Sequence, residues 1–372
     1  MKKLADKLKY SYITALGVAL SFITVATLYY FSLDHSTEKQ SIDYALANDQ
    51  KAVFEPVLPG NSLSLPQDFS FHNEFKQEGW HYFANLVGGD GEIYSLQWDY
   101  NRVARNESQK TGWNSAQVFL SNVIITSKDK VWKQQRIARG GIGQAGFRSR
   151  PFRLWIDNWS WRSLSLSPLP GILDVETDEF SLKLNSSSFN PFILNGESGY
   201  QAHHDLIPIA TYGFNAPFVR TSGQLILDGK VVDVSGQASL SKEWGSDLVA
   251  VEGQQNVTIN LHLSDGRNLH LTQSRIPNYP VYNYGLLVGR NGSMVRLSDD
   301  DIIMSAVEYV KMDNGKEVPL KWKLSIKKLN LEFSVSPLRK DLWHSFYNPY
   351  WQGPVSAIGT QVGHGMLKLT GF

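Results

Sequence analysis

Residues 232–244 read VDVSGQASLSKEW, and this segment is the clearest indication of the fold. Its even-numbered positions are mostly apolar, whereas its odd-numbered positions are all polar. An alternation with a period of two predicts a β-strand with one buried face. The strand ends by placing the carboxylate of Glu243 beside the indole of Trp244, an environment in which a buried carboxyl can serve as a general acid. The same residues also fit an exposed glutamate at a strand end beside a core tryptophan.

The same alternation recurs over most of the chain, for example in residues 94–100, 180–184, 259–271 and 322–333. Asp-Gly and Asn-Gly pairs separate several of these segments and favour the positive φ angles of tight hairpins. Many short antiparallel strands at this spacing predict β-barrels or β-sandwiches. We therefore expect an all-β fold, with one domain over residues 51–245 and a second over residues 246–372.

The N-terminus carries basic residues followed by a long apolar run, a pattern that predicts a membrane helix. Lys2, Lys3, Lys7 and Lys9 precede an uncharged run from Tyr10 to Leu33. A run of this length can span a bilayer, and the basic flank predicts that the short N-terminal end stays in the cytoplasm. We expect residues 1–33 to be an uncleaved signal anchor in the inner membrane, residues 34–50 to be a tether, and the body to face the periplasm. A cleaved signal peptide is the alternative.

The composition excludes several classes of function. The 372 residues carry a formal net charge of +1, which gives no electrostatic surface for nucleic acid. The chain has no cysteine, so disulfides, thiolate catalysis and cysteine-based metal sites are excluded. The sequence also lacks the motifs of a serine-hydrolase elbow, a Walker loop and a zincin helix.

Histidines raise the question of a metal site, which the sequence does not favour. His203 and His204 are adjacent, and neighbouring side chains on a strand point to opposite faces, so a polar loop cluster is the better interpretation. His262 and His270 flank a predicted hairpin on the polar phase of their strands, which predicts a solvated face. We predict no metal and no cofactor.

Several motifs resemble those of the lipocalin-like superfamily that contains carotenoid 1,2-hydratase (hydroxyneurosporene synthase) and the AttH-type proteins called predicted secreted hydrolases. Residues 78–86 follow its opening Glu-Trp-Trp-Tyr-x-x-Gly-x-Leu pattern, and residues 241–244 correspond to a central Asp-Arg-Glu-Trp block. Residues 350–355 correspond to the closing Tyr-Trp-Glu-Gly-Pro-Val segment, and residues 369–372 to the terminal Leu-Thr-Gly-aromatic segment. Residues 190–196 resemble a Lys-Pro-x-x-Leu-x-Gly segment. The resemblance covers the chain from about residue 55 to its end.

The resemblance implies two packed lipocalin-like β-barrels with a ligand cavity in or between them. It also implies the addition of water to, or the cyclisation of, large apolar substrates without a cofactor, and an association with an envelope ABC transporter. The chain departs from the family pattern at site positions: Gly79 replaces a Trp, Ser241 an Asp and Gln352 a Glu. In addition, Ala84 replaces a Gly, Lys242 replaces an Arg, and residues 255–258 replace a Trp-Asp-Trp-Phe stretch of the family.

The leading hypothesis is a membrane-anchored periplasmic protein that binds a hydrophobic small molecule or lipid, beside the permease of an ABC transporter. The alternative is a cofactor-independent hydratase or hydrolase, such as a carotenoid-1,2-hydratase-like lyase, acting on a carotenoid- or polyketide-like substrate. The third hypothesis is a purely structural or assembly partner, in which side chains fill the barrels. The candidate catalytic residues are Glu243 and Glu78. The candidate ligand-binding residues are Trp80, Tyr82, Trp98, Trp244 and Trp351.

Overall fold

The computed structural model describes residues 54–106, 111–246 and 251–372, which form two curled antiparallel β-sheets. One sheet makes a nearly closed barrel and the other a half-barrel, so the predicted all-β, barrel-based fold class is confirmed. The predicted anchor and tether lie outside the described residues. Within the described part of the chain, no helix combines the length and the apolar character that crossing a bilayer requires.

The first sheet has its first and last strands side by side. Its order is β4-β3-β2-β1-β13-β12-β9-β8-β7-β6-β5, and β10 and β11 pair with β12. Short 3-10 helices lie at Gln67–Phe69 and Gly112–Asn114. The strands are β1 (Gln77–Gly88), β2 (Ile93–Ala104), β3 (Gln117–Thr126), β4 (Val131–Arg139), β5 (Ala145–Ser149), β6 (Phe152–Ile156), β7 (Trp159–Arg162), β8 (Gly171–Glu176), β9 (Phe180–Ser187), β10 (Ile193–Leu194), β11 (Tyr200–Ala202), β12 (Ala210–Leu227) and β13 (Lys230–Gly245).

The second sheet repeats this arrangement, because its first strand, β14, pairs with its last, β23. The order is β17-β16-β15-β14-β23-β22-β20-β19-β18, and β21 pairs with β22. Two 3-10 helices lie at Asp299–Asp301 and Lys327–Leu329. The strands are β14 (Gln255–Leu263), β15 (Asn268–Arg275), β16 (Tyr282–Val288), β17 (Met294–Leu297), β18 (Ile302–Lys311), β19 (Glu317–Ile326), β20 (Leu331–Pro337), β21 (Trp343–His344), β22 (Tyr350–Gly359) and β23 (Gly363–Thr370). Both sheets fall within one compact unit, and the domain bounds 51–245 and 246–372 stay a prediction.

The concave side of each sheet is filled by its own side chains. In the first sheet Trp98 stacks on Trp161 with ring centres 5.6 Å apart, and Trp80 packs edge-on against Phe152. These side chains come from the apolar phase of their strands, and the tryptophans are at most 1% exposed. A second apolar cluster around Trp322 and Trp351 fills the other sheet. The alternation in the sequence therefore separates a packed inner face from an outer face on each sheet.

A buried ion cluster lies inside the first sheet and ties the segment before β1 to the strands. The Lys242 ammonium lies 2.6 Å from Glu78 Oε1 and donates to the backbone carbonyls of Asp68 and Ser70. Arg102 lies 3.6 Å from Glu78 Oε2 and donates to two further carbonyls of the same segment. Glu78, Lys242 and Arg102 come from β1, β13 and β2, and all three side chains are fully buried.

Glu78 is ionised in this cluster. Burial alone would raise the pKa of Glu78, but the charge of Lys242, the hydrogen bond from His72 and the charges of His72 and Arg102 outweigh it and hold the pKa at about 2. Burial lowers the pKa of Lys242, and Glu78 opposes that shift. Each charge is tolerated inside the sheet because its partners are in place.

Replacing Glu78 by Gln should lower the free energy of unfolding by about 3 kcal/mol, because two buried cations lose their carboxylate. The carboxylate is more acidic in the folded chain than its ordinary value of 4.5, so its stabilisation is present above that pH and is lost as pH falls towards 2. Urea unfolding from pH 7 to pH 3 measures both effects. Glu317→Gln, at an exposed position, is the matched control. Equal stability and equal acid sensitivity of E78Q and E317Q would contradict the role of the cluster.

The outer faces of the two sheets meet through a polar contact. The Tyr350 hydroxyl on β22 accepts a 2.7 Å hydrogen bond from the Gln97 amide on β2 and lies 3.4 Å from Asp99 Oδ2. Lys368 on β23 lies 3.8 Å from the same carboxylate oxygen. Tyr350, Gln97 and Asp99 are all buried, so this contact fixes the second sheet against β2.

Tyr350→Phe should destabilise the chain by about 1–3 kcal/mol, because the buried amide of Gln97 loses one of its two acceptors and Asp99 loses the hydroxyl, while the ring stays in place. Tyr309→Phe is the control, since that side chain is 55% exposed. Thermal unfolding of both variants measures the difference. A Tyr350→Phe variant as stable as Tyr309→Phe would show that the contact does not hold the sheets together.

Candidate functional site

A cavity of about 250 Å³ lies between the two sheets and is lined by the outer faces of both. The first sheet contributes β1, β2, β11, β12 and β13, and the second contributes β14, β15, β16, β22 and β23. Most of the lining side chains are polar. They include Ser239, Ser241 and Glu243, which are three of the six odd-numbered positions of the segment that first indicated a strand. The polar phase of this strand therefore faces a cavity as well as solvent.

Glu243 stands between two glycines on the cavity wall. Strand register places Gly79 of β1 and Gly213 of β12 beside it, one on each side. A Cβ atom at Gly213 would lie 3.3 Å from Glu243 Cγ, so the glutamate leans over this glycine. A Cβ atom at Gly79 would collide with Asn101 and lie 2.9 Å from His81 Nε2. The glycines give Glu243 and His81 the space in which their side chains lie.

A histidine and a tyrosine form a hydrogen-bonded pair on the wall. The Tyr284 hydroxyl lies 2.6 Å from His203 Nδ1, and His203 Nε2 lies 2.9 Å from Thr211 Oγ1. Burial lowers the pKa of His203, against the opposing charge of Glu243, and burial together with that charge raises the pKa of Tyr284 well above its usual range. A neutral His203 therefore donates from one ring nitrogen and accepts at the other, which links Tyr284 to Thr211 through the imidazole.

His270 of β15 is a second neutral imidazole beside the same carboxylate. Burial lowers the pKa of His270, and the charge of Glu243 opposes the shift. Its Nδ1 lies 3.5 Å from the amide nitrogen of Asn260, whose oxygen accepts a hydrogen bond from Asn268. Glu243 thus acts electrostatically on two histidines and a tyrosine, a concentration of titratable groups typical of sites that move protons.

His81 and Asp99 form a separate pair on the wall made by β1 and β2. His81 Nδ1 lies 2.7 Å from Asp99 Oδ1, and the imidazole is 32% exposed. Asp99 is almost fully buried, yet Lys368, His81 and Gln97 hold its pKa well below the usual range despite that burial. The carboxylate is therefore ionised and anchored, and the imidazole that it holds is open to the cavity.

The structure separates the two predicted catalytic carboxylates. Glu243 lies on the cavity wall, whereas Glu78 lies on the opposite face of the sheet in the ion cluster. Strand alternation explains this, because Gly79 and not Glu78 shares the outer face with Glu243. The catalytic assignment of both residues stays a prediction, and the geometry favours Glu243, since Glu78 is paired with Lys242 and holds no proton to donate.

The predicted ligand-binding aromatics belong mainly to the packed cores. Tyr82 borders the cavity, but its ring packs edge-on against Trp161 in the core of the first sheet. The tryptophans fill the inner faces of the sheets: Trp80, Trp98 and Trp244 in the first, and Trp351 in the second. Their role in ligand binding stays a prediction.

Sequence reasoning missed part of the site and misplaced two histidines. The solvated face predicted for His262 and His270 is wrong, because His262 is 5% exposed and His270 lines the cavity. The polar phase of their strands faces the other sheet. His81 belongs to the opening motif and was within reach of the sequence, but Asp99 and Tyr284 carry no motif that singles them out. Over the described residues, no cluster of three or more histidine and carboxylate side chains is placed to hold a metal ion.

Comparisons with known proteins agree on one family. The AttH-like family model matches residues 56–372. A Nitrosomonas europaea protein assigned to AttH has a similar structure, with a TM-score of 0.75 and 23% identity over 86% of this chain and 100% of that one. Kievitone hydratase from Nectria haematococca follows with a TM-score of 0.63 and 14% identity over 87% of this chain and 98% of that one.

These two structures show the fold, and no curated protein matches the sequence of the chain. The family model extends over most of the chain and includes the opening, central and closing motifs. The family resemblance predicted from those motifs is confirmed: the protein belongs to the AttH-like family and has its lipocalin-like fold.

Proposed function

We propose that this protein is an acid–base enzyme of the hydratase type, which adds water to its substrate or removes it in the cavity between the sheets. The observation that carries the proposal is the position of Glu243, half-buried on the cavity wall between two glycines and close to His203, His270 and Tyr284. The structural similarity to kievitone hydratase supports a reaction of this type.

The chemistry of the wall suits such a reaction. Adding water to a double bond needs one group that takes a proton from water and another that gives a proton to carbon. Glu243 can exchange a proton, and the neutral imidazole of His270 can hydrogen-bond to an oxygen of the substrate. His203 and Tyr284, which hydrogen-bond to each other, lie within the electrostatic influence of this carboxylate.

The size and lining of the cavity bear on the substrate. A volume of about 250 Å³ is below the roughly 300–1,000 Å³ of sites for drug-sized ligands. The wall offers amides, hydroxyls and imidazoles, whereas the tryptophans predicted to bind ligand are packed inside the sheets. We therefore propose a compact substrate that carries oxygen groups, or the polar end of a longer one, in preference to the carotenoid-like chain that the family resemblance implies.

Glu243→Gln should reduce turnover by at least about 100-fold with little change in substrate affinity, because the amide keeps the shape but cannot exchange the proton. Kievitone and p-nitrophenyl butyrate serve as probes, one for hydration and one for hydrolysis. Mass spectrometry in isotopically labelled water detects the added oxygen, and absorbance follows the ester. Glu317→Gln, far from the cavity lining, is the control.

Undiminished turnover in E243Q would contradict the assignment of Glu243. Absence of turnover with both probes, in protein that unfolds cooperatively, would contradict the hydratase or hydrolase function and favour the binding hypothesis.

A second candidate is a membrane-anchored protein that binds a hydrophobic ligand beside an ABC transporter, which the uncharged run from Tyr10 to Leu33 favours. On this proposal the full chain should sediment with inner membranes and resist alkaline carbonate extraction. A variant lacking residues 1–33 should appear in the soluble fraction. Protease added to spheroplasts should digest the body of the full chain if it faces the periplasm. A soluble full chain would contradict the anchor, and protection of the body would contradict its periplasmic orientation.

A further inference from the structure

We propose that His81, oriented by Asp99, is the second proton-transfer group of the cavity and acts on the substrate from the side opposite the Glu243 carboxylate. The proposal rests on the acid–base function proposed above and extends it to two residues outside the predicted catalytic pair of Glu243 and Glu78. His81 is the catalytic residue, and Asp99 is a positioning residue.

The strand register aligns the groups involved. Asp99 of β2, His81 of β1 and Ser241 of β13 occupy one row of Cα partners, all on the outer face. Asn101, Gly79, Glu243 and Gly213 occupy the adjacent row, two residues along. His81, Asp99, Ser241 and Glu243 all line the same cavity. Two neighbouring rows of one rigid sheet therefore hold both proton-transfer groups.

Asp99 fixes the orientation of the ring. Its carboxylate lies 2.7 Å from His81 Nδ1, so this nitrogen carries the hydrogen and Nε2 is the atom left for the substrate. Lys368 and Gln97 hold the carboxylate from the second sheet and from its own strand. A buried, anchored anion at Nδ1 also stabilises the imidazolium from which Nε2 releases a proton in hydration and which forms again in dehydration.

Gly79 directs Nε2 towards Glu243. The ring lies over this glycine, where a Cβ atom would be only 2.9 Å from Nε2. Gly79 is the partner of Glu243 across β1 and β13, so Nε2 reaches the row of the glutamate. Glu243 leans the other way, over Gly213 of β12. Neighbouring strands lie about 4.8 Å apart. The His81 ring over β1 and the Glu243 side chain over β12 therefore lie on either side of β13. The gap between them is about two strand spacings and can hold water and substrate.

The reaction balances with these two groups. The Glu243 carboxylate takes a proton from a water molecule while the water oxygen bonds to one carbon of the double bond. The π electrons form a C–H bond with the proton that His81 Nε2 releases, and the imidazole becomes neutral. The proton on Glu243 then returns to His81 through solvent, and the net change is the addition of one water. The reverse sequence removes water.

The first test is the tautomer of His81, which does not depend on activity. Long-range ¹⁵N–¹H NMR of the full chain, with the ring assigned from a His81→Gln variant, should show hydrogen on Nδ1 in the neutral wild-type ring. In Asp99→Asn, the amide donates to Nδ1 and should move the hydrogen to Nε2. A wild-type ring with hydrogen on Nε2 alone, or a tautomer unchanged in D99N, would overturn the role of Asp99.

The second test is turnover of whichever probe, kievitone or p-nitrophenyl butyrate, the wild type converts. His81→Gln should lower kcat by at least about 100-fold, as Glu243→Gln does. Gly79→Ala should lower kcat by roughly 10-fold or more by displacing the ring. Gly89→Ala is the matched control, because its Cβ would meet only one atom, at an ordinary 3.6 Å.

The outcomes separate this proposal from the function on which it rests. Loss of turnover in E243Q with full turnover in H81Q would overturn the role of His81 and leave the proposed function standing. Absence of turnover in the wild type would overturn the proposed function and, with it, the catalytic role of His81, while the tautomer would still test how Asp99 holds the ring. Loss of turnover in both E243Q and H81Q, with the tautomer change in D99N and normal turnover in G89A, would support Glu243 and His81 as the two proton-transfer groups.

Discussion

The antiparallel pairing of β1 with β13 is the interaction on which both the core and the cavity depend. In this register Glu78 and Lys242 meet on the inner face, while Gly79 and Glu243 lie side by side on the outer face. A slip of one residue would exchange the two faces, exposing the ion cluster to the cavity and burying Glu243 without a partner. The buried charges therefore stabilise this register of β1 and β13 over others, because they have their partners in this pairing only.

The fold was within reach of the sequence, because alternation and hairpin residues are local signals. Residues 232–244 do form the strand that their pattern predicts, within β13. Alternation also distinguishes the two faces of each strand, and it assigns Glu78 to the same face as Trp80 and Tyr82. Alternation does not show whether a polar face meets water or a cavity, since both environments favour the same types of residue.

The candidate site was only partly within reach for the same physical reason. Glu243 was identified through its neighbour Trp244 and its place in a family motif. His81 and Asp99 are far apart in sequence and become a pair only through the register of β1 and β2. Tyr284 and His270 come from the other sheet, and a sequence carries no local signal for which side chains two sheets will bring together.

A cavity whose walls belong to two different sheets has a thermodynamic consequence. A ligand that fits it binds only while Tyr350 and Lys368 hold the sheets against β2, so ligand binding and sheet association are linked equilibria. At a hundredfold excess over its dissociation constant, such a ligand would stabilise the assembled state by about 2.7 kcal/mol. Small-molecule libraries can therefore be ranked by the melting temperature of the protein, before any reaction is known.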